Sequence, residues 1–186
     1  MERLKFILSP PLRAKEHQEA IWQGIKDGTL QVIATDHCSF DFHGDKQNGK
    51  DDFTKCPNGA PGVETRMPIV FSEGVSKGRL SLNEFAAVTS TNPAKIFGMY
   101  PKKGVLAPGS DADIVLVNPD MEVTITKNIL HENVDYTPYE GIQVKGWPVM
   151  TMVRGQAVVE NERLQVPLGF GRYINRKPVK YTELLK

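Results

Sequence analysis

Hydrophobic and polar positions follow two regimes along this chain. Up to about residue 100 they form short apolar runs and helical repeats. Lys5 to Leu8 is apolar and stops at Ser9-Pro10-Pro11, where two prolines cannot continue a ladder and hold the preceding residue extended. This predicts a strand ending in a rigid loop. Ala20, Ile21, Trp22 and Ile25 recur among polar neighbours between Ala14 and Lys26, which predicts an amphipathic helix closed by Gly28. Leu30 to Ala34 is a second apolar run and predicts a buried strand. Strand, loop, helix and strand make one βαβ unit with a parallel pair.

Further helices are predicted over Met67 to Lys77, closed near Gly78, and from Leu82 to Ser90, opened by the capping box Ser81-Leu82-Asn83-Glu84. Asn92-Pro93 reads as an N-cap followed by proline at the first helical position, with Gly98 as the stop. From Lys103 the pattern becomes strand-like. Ile114 to Val117 is a strand stopped by Asn118-Pro119; Val123 to Ile125, Trp147 to Arg154 and Gln156 to Val159 follow, the last two forming a hairpin around Gly155. The boundary between the two regimes falls near Met99 to Lys103.

Between the regular segments lies a long polar stretch, Ser39 to Glu64. Loops of that length are functional or disordered, and its glycines allow close approach of backbone to a ligand. Composition narrows the function classes. The 186 residues hold 23 basic and 22 acidic side chains, so bulk attraction to nucleic acid or an anionic membrane is not expected. The 40% hydrophobic content supports a packed core, and 16 glycines and 13 prolines make the chain turn-rich. Two cysteines, Cys38 and Cys56, give no disulfide framework and no C-x-x-C spacing. No apolar run has membrane-spanning length, and Met1 to Leu8 has no secretory h-region. The expectation is a cytoplasmic protein.

The candidate chemistry starts at Ala34-Thr35-Asp36-His37-Cys38. An acid and an imidazole at the end of a predicted strand are poor core material, and strand ends are where barrel and open α/β enzymes place their sites. Asp36 can ligate a metal or carry a proton; capping of the loop is the plainer alternative. His43 with Asp41 and Asp45 reads as a solvated polar loop, since no third ligand has suitable spacing. Asp111 and Asp113 beside Gly109 read as turn and capping residues, and Tyr136, Tyr139 and Trp147 as packing. The tail from Val166 to Lys186, basic through Arg172, Arg176, Lys177 and Lys180, reads by default as solvated, with wrapping of a neighbouring subunit as the alternative.

Taken in order, these stretches resemble one family. Ser9-Pro10-Pro11-Leu12-Arg13, Thr35-Asp36-His37-Cys38, Phe53-Thr54-Lys55 with Pro57-Asn58-Gly59, and Pro61-Gly62-Val63-Glu64-Thr65-Arg66 resemble the dihydropyrimidinase/hydantoinase branch of the amidohydrolases. Thr91 to Gly98 and Gly109 to Val115 resemble the wider superfamily, and His131 to Tyr136 with Tyr139-Glu140-Gly141 resemble the same branch. The resemblance implies an α/β fold: residues 1–100 as the last two strands and helices of a TIM-like (β/α)8 barrel, residues 101–165 as part of a small β-sandwich, and residues 166–186 as a tail. It implies a binuclear zinc hydrolase of cyclic amides or imides, dihydropyrimidines or hydantoins. Asp36 would ligate one zinc and carry the proton to the leaving nitrogen; Ser9 and Asn58 would hold the ring amide, largely through backbone groups; His37 and Cys38 would line the wall. The full-length family further implies a homotetramer.

The four histidines, His17, His37, His43 and His131, form no His-x-His pair, and a barrel needs eight strands and roughly 250 residues. The expectation is therefore a C-terminal fragment, inactive alone. Two competing readings share the scaffold: a non-catalytic assembly protein that keeps the fold without metal ligands, and an allantoinase- or dihydroorotase-type hydrolase.

Overall fold

The computed structural model describes residues 2–179. Its regular part is a set of short helices followed by a four-stranded antiparallel sheet, α/β in content. Helix α1 (His17–Lys26) ends where Gly28 turns with φ +78°. Helix α2 (Arg66–Val70) continues into a wider π-helical turn, Phe71–Ser76. Helix α3 (Leu82–Ala86) opens on the predicted capping box, with Ser81 and Glu84 exchanging both side-chain-to-backbone bonds.

Helix α4 (Asn92–Ile96) corrects one expectation. Asn92 does not start a new helix: a π-helical turn, Ala87–Thr91, joins α3 to α4 without a break. Pro93 has no N–H to offer the carbonyl four residues back, and the widened turn just before it accommodates that loss. The Asn92 amide instead donates to Gln31 O at 2.9 Å, tying α4 to the segment before Asp36.

The sheet runs in the order β1 (Ile114–Thr124), β2 (Gln143–Val153), β3 (Gln156–Glu160), β4 (Arg163–Leu164). The β2–β3 hairpin turns at Arg154-Gly155, both at positive φ. Asn118-Pro119 does not end β1; the strand continues past a register shift between Asn118 and Glu122. The Val123 segment is thus the far end of β1 rather than a separate strand. Ile125, Leu130, Val144 and Trp147 form a buried cluster under the sheet, with Ile69 of α2 against it. Phe71 and Phe85 meet edge to face at 5.5 Å between ring centres. Gly146, at φ +98°, lies so close to Phe71 that a Cβ would stand 2.1 Å from its ring. Ser72 and Ser76 add hydrogen bonds to Lys145, so helix and sheet meet through both packing and polar contacts.

The two strands predicted in the first half do not form. Residues 2–6 make a 3-10 turn, and 30–34 form no strand among the described residues. No parallel pair is seen among the described residues, which hold one four-stranded antiparallel sheet. A parallel strand needs neighbours to satisfy its backbone. Here side chains and loops do that work. Ile33 N–H donates to Val88 O at 3.2 Å, Ile33 O accepts from Arg66 at 2.8 Å, and Ile7 O accepts from Lys46 and from Gly59 N–H.

The tail also differs from expectation over residues 166–179. It lies back on the body at two points rather than standing free. Arg154 donates to Phe170 O at 2.9 Å and stacks on its ring, and Lys177 N–H donates to Gly98 O at 2.9 Å. Lys180 lies outside the described residues.

Candidate active-site edge

Three segments that are distant in sequence meet on one side of the helical half. They carry Ser9, Asp36 and Asn58, each of them exposed. Gly59 N–H donates to Ile7 O at 3.1 Å, joining the Asn58 loop to the segment that enters Ser9. Cys38 N–H donates to Ala60 O at 3.3 Å, joining the same loop to the Asp36 stretch. Gly59 sits at φ +145° with Cys38 O only 2.3 Å from where a Cβ would be, so no side chain fits at this crossing.

Asp36 has φ +50°, in the left-handed region. Few non-glycine residues adopt it, aspartate among the more tolerant. The flanks explain how it is held. Ile33 is bonded through both backbone groups, His37 N–H donates to Thr35 Oγ1 at 3.2 Å, and Cys38 is tied to Ala60. With both sides pinned, the backbone turns at Asp36 and presents its carboxylate outward.

His37 binds the backbone of the next loop. Its Nδ1 accepts from Gly62 N–H at 3.1 Å and Val63 N–H at 3.2 Å. Glu132 Oε1 lies 3.7 Å from the same nitrogen and accepts from Glu64 N–H at 3.2 Å. The His37 Nδ1 faces both N–H donors, and the His37–Glu132 approach is longer than either of these bonds. Together the imidazole and the carboxylate satisfy three successive N–H groups in the turn that leads into α2. The Glu132 side chain is 4% exposed, and its Oε2 has no partner among the described residues.

The other candidates have partners of their own. His43 pairs with Asp135 at 2.7 Å, and Asp135 also accepts from Phe42 N–H and His43 N–H, so this loop is anchored by a carboxylate and is not a metal cluster. Those bonds hold the Asp135 carboxyl below its ordinary range against the opposing effect of burial. Asp111 and Asp113 both pair with Lys103, and Asp113 accepts from Arg154 N–H at 2.9 Å, so they tie separate segments together rather than cap a local turn. Tyr136 is buried, its hydroxyl donating to Lys5 O, and burial pushes its pKa up to about 12. Cys38 is an exposed free thiol and Cys56 a buried one.

A cavity of about 550 Å³ lies elsewhere, between the sheet and the start of α2. Met67, Pro68, Trp147 and Met150 line it, and the Glu64–His131 pair stands at its rim. Asp36 is not part of it. The described residues do not themselves build a zinc site: they contain no group of three or more histidine, cysteine or carboxylate side chains placed to hold a metal. Asp36 supplies one carboxylate, where a zinc site uses three or four protein ligands. No helix among them is long and apolar enough to cross a membrane.

The model of the amidohydrolase family matches residues 2–158, and the chain belongs to that family. Within it, the chain is 48% identical to D-hydantoinase of Geobacillus stearothermophilus over 99% of its own length and 39% of the relative's. It is 47% identical to D-phenylhydantoinase of Escherichia coli over 94% of this chain and 38% of that one. The crystal structure of dihydropyrimidinase from Brevibacillus agri superposes with a TM-score of 0.94 at 50% identity, over 96% of this chain and 39% of that one. The chain thus spans about two fifths of the length of the relatives it matches.

Proposed function

We propose that these residues form the proton-transfer and ring-holding portion of a cyclic amidohydrolase acting on a dihydropyrimidine or hydantoin ring. The observation that carries the reading is the meeting of the Ser9, Asp36 and Asn58 segments at one edge, in a chain 48% identical to a D-hydantoinase. A planar ring with alternating N–H and C=O groups suits recognition by backbone groups, which Ser9 and Asn58 offer. Opening the ring breaks a C–N bond. Water adds its oxygen to the carbonyl carbon, its proton passes to an Asp36 carboxylate oxygen, and Asp36 delivers it to the departing nitrogen. An outward-facing carboxylate on a pinned backbone suits that shuttle, because positioning lowers the cost of each transfer.

The family resemblance adds two zinc ions, with Asp36 as one ligand and the remaining ligands outside these 186 residues. The isolated chain then neither retains zinc nor hydrolyses the ring. The test is replacement of the matching two fifths of the Geobacillus D-hydantoinase by this chain. Zinc-dependent hydrolysis of hydantoin or dihydrouracil by the hybrid supports the reading. A folded, metal-loaded hybrid with no turnover favours a non-catalytic assembly role.

A further inference from the structure

Lys46 is fully buried, the largest such side chain among the described residues, yet it sits in the polar loop between Ser39 and Glu64. An ammonium held out of water needs strong partners. Its partners are two main-chain carbonyls: Nζ donates to Ile7 O at 2.9 Å and to Pro57 O at 2.8 Å. The Phe40 ring lies 5.9 Å from Nζ, at the outer limit of a cation–π contact. Burial pushes the lysine pKa down from its ordinary value, as expected where carbonyl dipoles compensate lost water only in part.

The identity of those carbonyls matters. Ile7 lies two residues before Ser9, and Pro57 lies one before Asn58. Ile7 O also accepts from Gly59 N–H, so one carbonyl is shared by the ammonium and by the residue after Asn58. The two segments proposed to hold the ring are thus fastened to one cation. Lys46 N–H in turn donates to Asp41 O at 3.0 Å, which fixes the base of the side chain in the Phe40–Gly44 turn. A purely structural clamp could sit anywhere in the loop; this one joins the two backbone stretches whose relative placement sets the width of a ring site.

We propose that Lys46 is the positioning residue of the ring-binding edge, its ammonium holding the Ser9 and Asn58 backbones in one frame. The inference rests on the reading of Ser9 and Asn58 as ring-holding residues, and it adds a residue for which no sequence signal exists.

The test uses Lys46→Met, which keeps the unbranched stem one atom shorter and removes the donors, with exposed Lys50→Met in the same loop as control. Amide hydrogen exchange is measured residue by residue in the chain, and ring affinity is measured as the KM for dihydrouracil of the hybrid hydantoinase carrying it. In Lys46→Met, Gly59 N–H exchange is expected to rise at least tenfold while β2 exchange stays within twofold, and ring affinity is expected to fall at least tenfold. Unchanged Gly59 exchange overturns the role of Lys46, whatever the ring does. Raised Gly59 exchange with ring affinity unchanged overturns it too. If the unsubstituted hybrid, folded and metal-loaded, neither binds nor turns over dihydrouracil, the ring-holding reading fails and takes the proposal with it, even where exchange responds. Should Lys46→Met not fold, the unsubstituted chain decides: slowly exchanging Lys46 ammonium protons coupled to the Ile7 and Pro57 carbonyls support the clamp, and a freely rotating, fast-exchanging ammonium overturns it.

Discussion

The apolar runs at 5–8 and 30–34 and the apolar runs at 114–117 and 147–153 have similar strand signatures, yet only the second pair is a sheet. The difference lies in where the partner is. Each strand of the sheet finds its neighbour within the chain, and β2 to β4 find theirs across two-residue turns whose positive-φ residues match the twist. The runs at 5–8 and 30–34 pattern as parallel strands, which depend on neighbours on both sides. Without them, lysine, arginine and asparagine side chains satisfy the carbonyls. Local pattern reports which residues are apolar and extended; it does not report who sits beside them.

The contact between the two halves offers the strongest way to break this comparison. Gly146→Ala places a Cβ 2.1 Å from the Phe71 ring at a φ of +98°. Overpacking at a left-handed position is expected to cost about 3 kcal/mol or more, read from urea unfolding. A cost under about 1 kcal/mol shows that helix and sheet are not locked together as described. Next, Ile125→Ala empties a fully buried site in the cluster beneath the sheet, and about 2–4 kcal/mol is expected. The helical half gives a smaller effect: Ser81→Ala removes one side of the capping box, at about 1 kcal/mol by thermal unfolding.

The smallest effect concerns the rim of the cavity. His131 Nδ1 lies 2.7 Å from Glu64, whose hydrogen bond and charge raise the imidazole pKa above its ordinary 6.5. A group whose pKa rises on folding stabilises fully below its unfolded value, and that contribution is lost as pH climbs through the folded value. His131 is largely exposed, so the stability change is slight. Imidazole NMR titration is the sharper readout: Glu64→Gln is expected to bring His131 back towards 6.5, and an unmoved titration removes Glu64 as the cause.

Much of the site was legible before the fold, but unevenly. Asp36 stood out because an acid at the end of an apolar run is out of place, and its +50° φ now gives that oddity a backbone form. The hairpin at Gly155 and the box at Ser81 were legible because their chemistry is local. Lys46 was not: a lysine in a polar loop has no pattern that marks it as buried, and only the fold reveals that Ile7 and Pro57 converge on it. Glu132 is similar, since its bond to Glu64 N–H spans 68 residues. Asn92 misled because Asn-Pro is a good helix start in isolation, whereas α3 continues straight into it and the amide serves Gln31.

The most direct measurement is the turnover number of the hybrid hydantoinase carrying this chain with Asp36→Asn. The carboxamide keeps the size of the side chain and cannot shuttle a proton. Loss of about 10²–10⁴-fold in kcat on hydantoin, with folding and ring binding retained, is the expected result for a positioned acid–base group. A kcat within twofold of the unsubstituted hybrid would contradict the role given to Asp36.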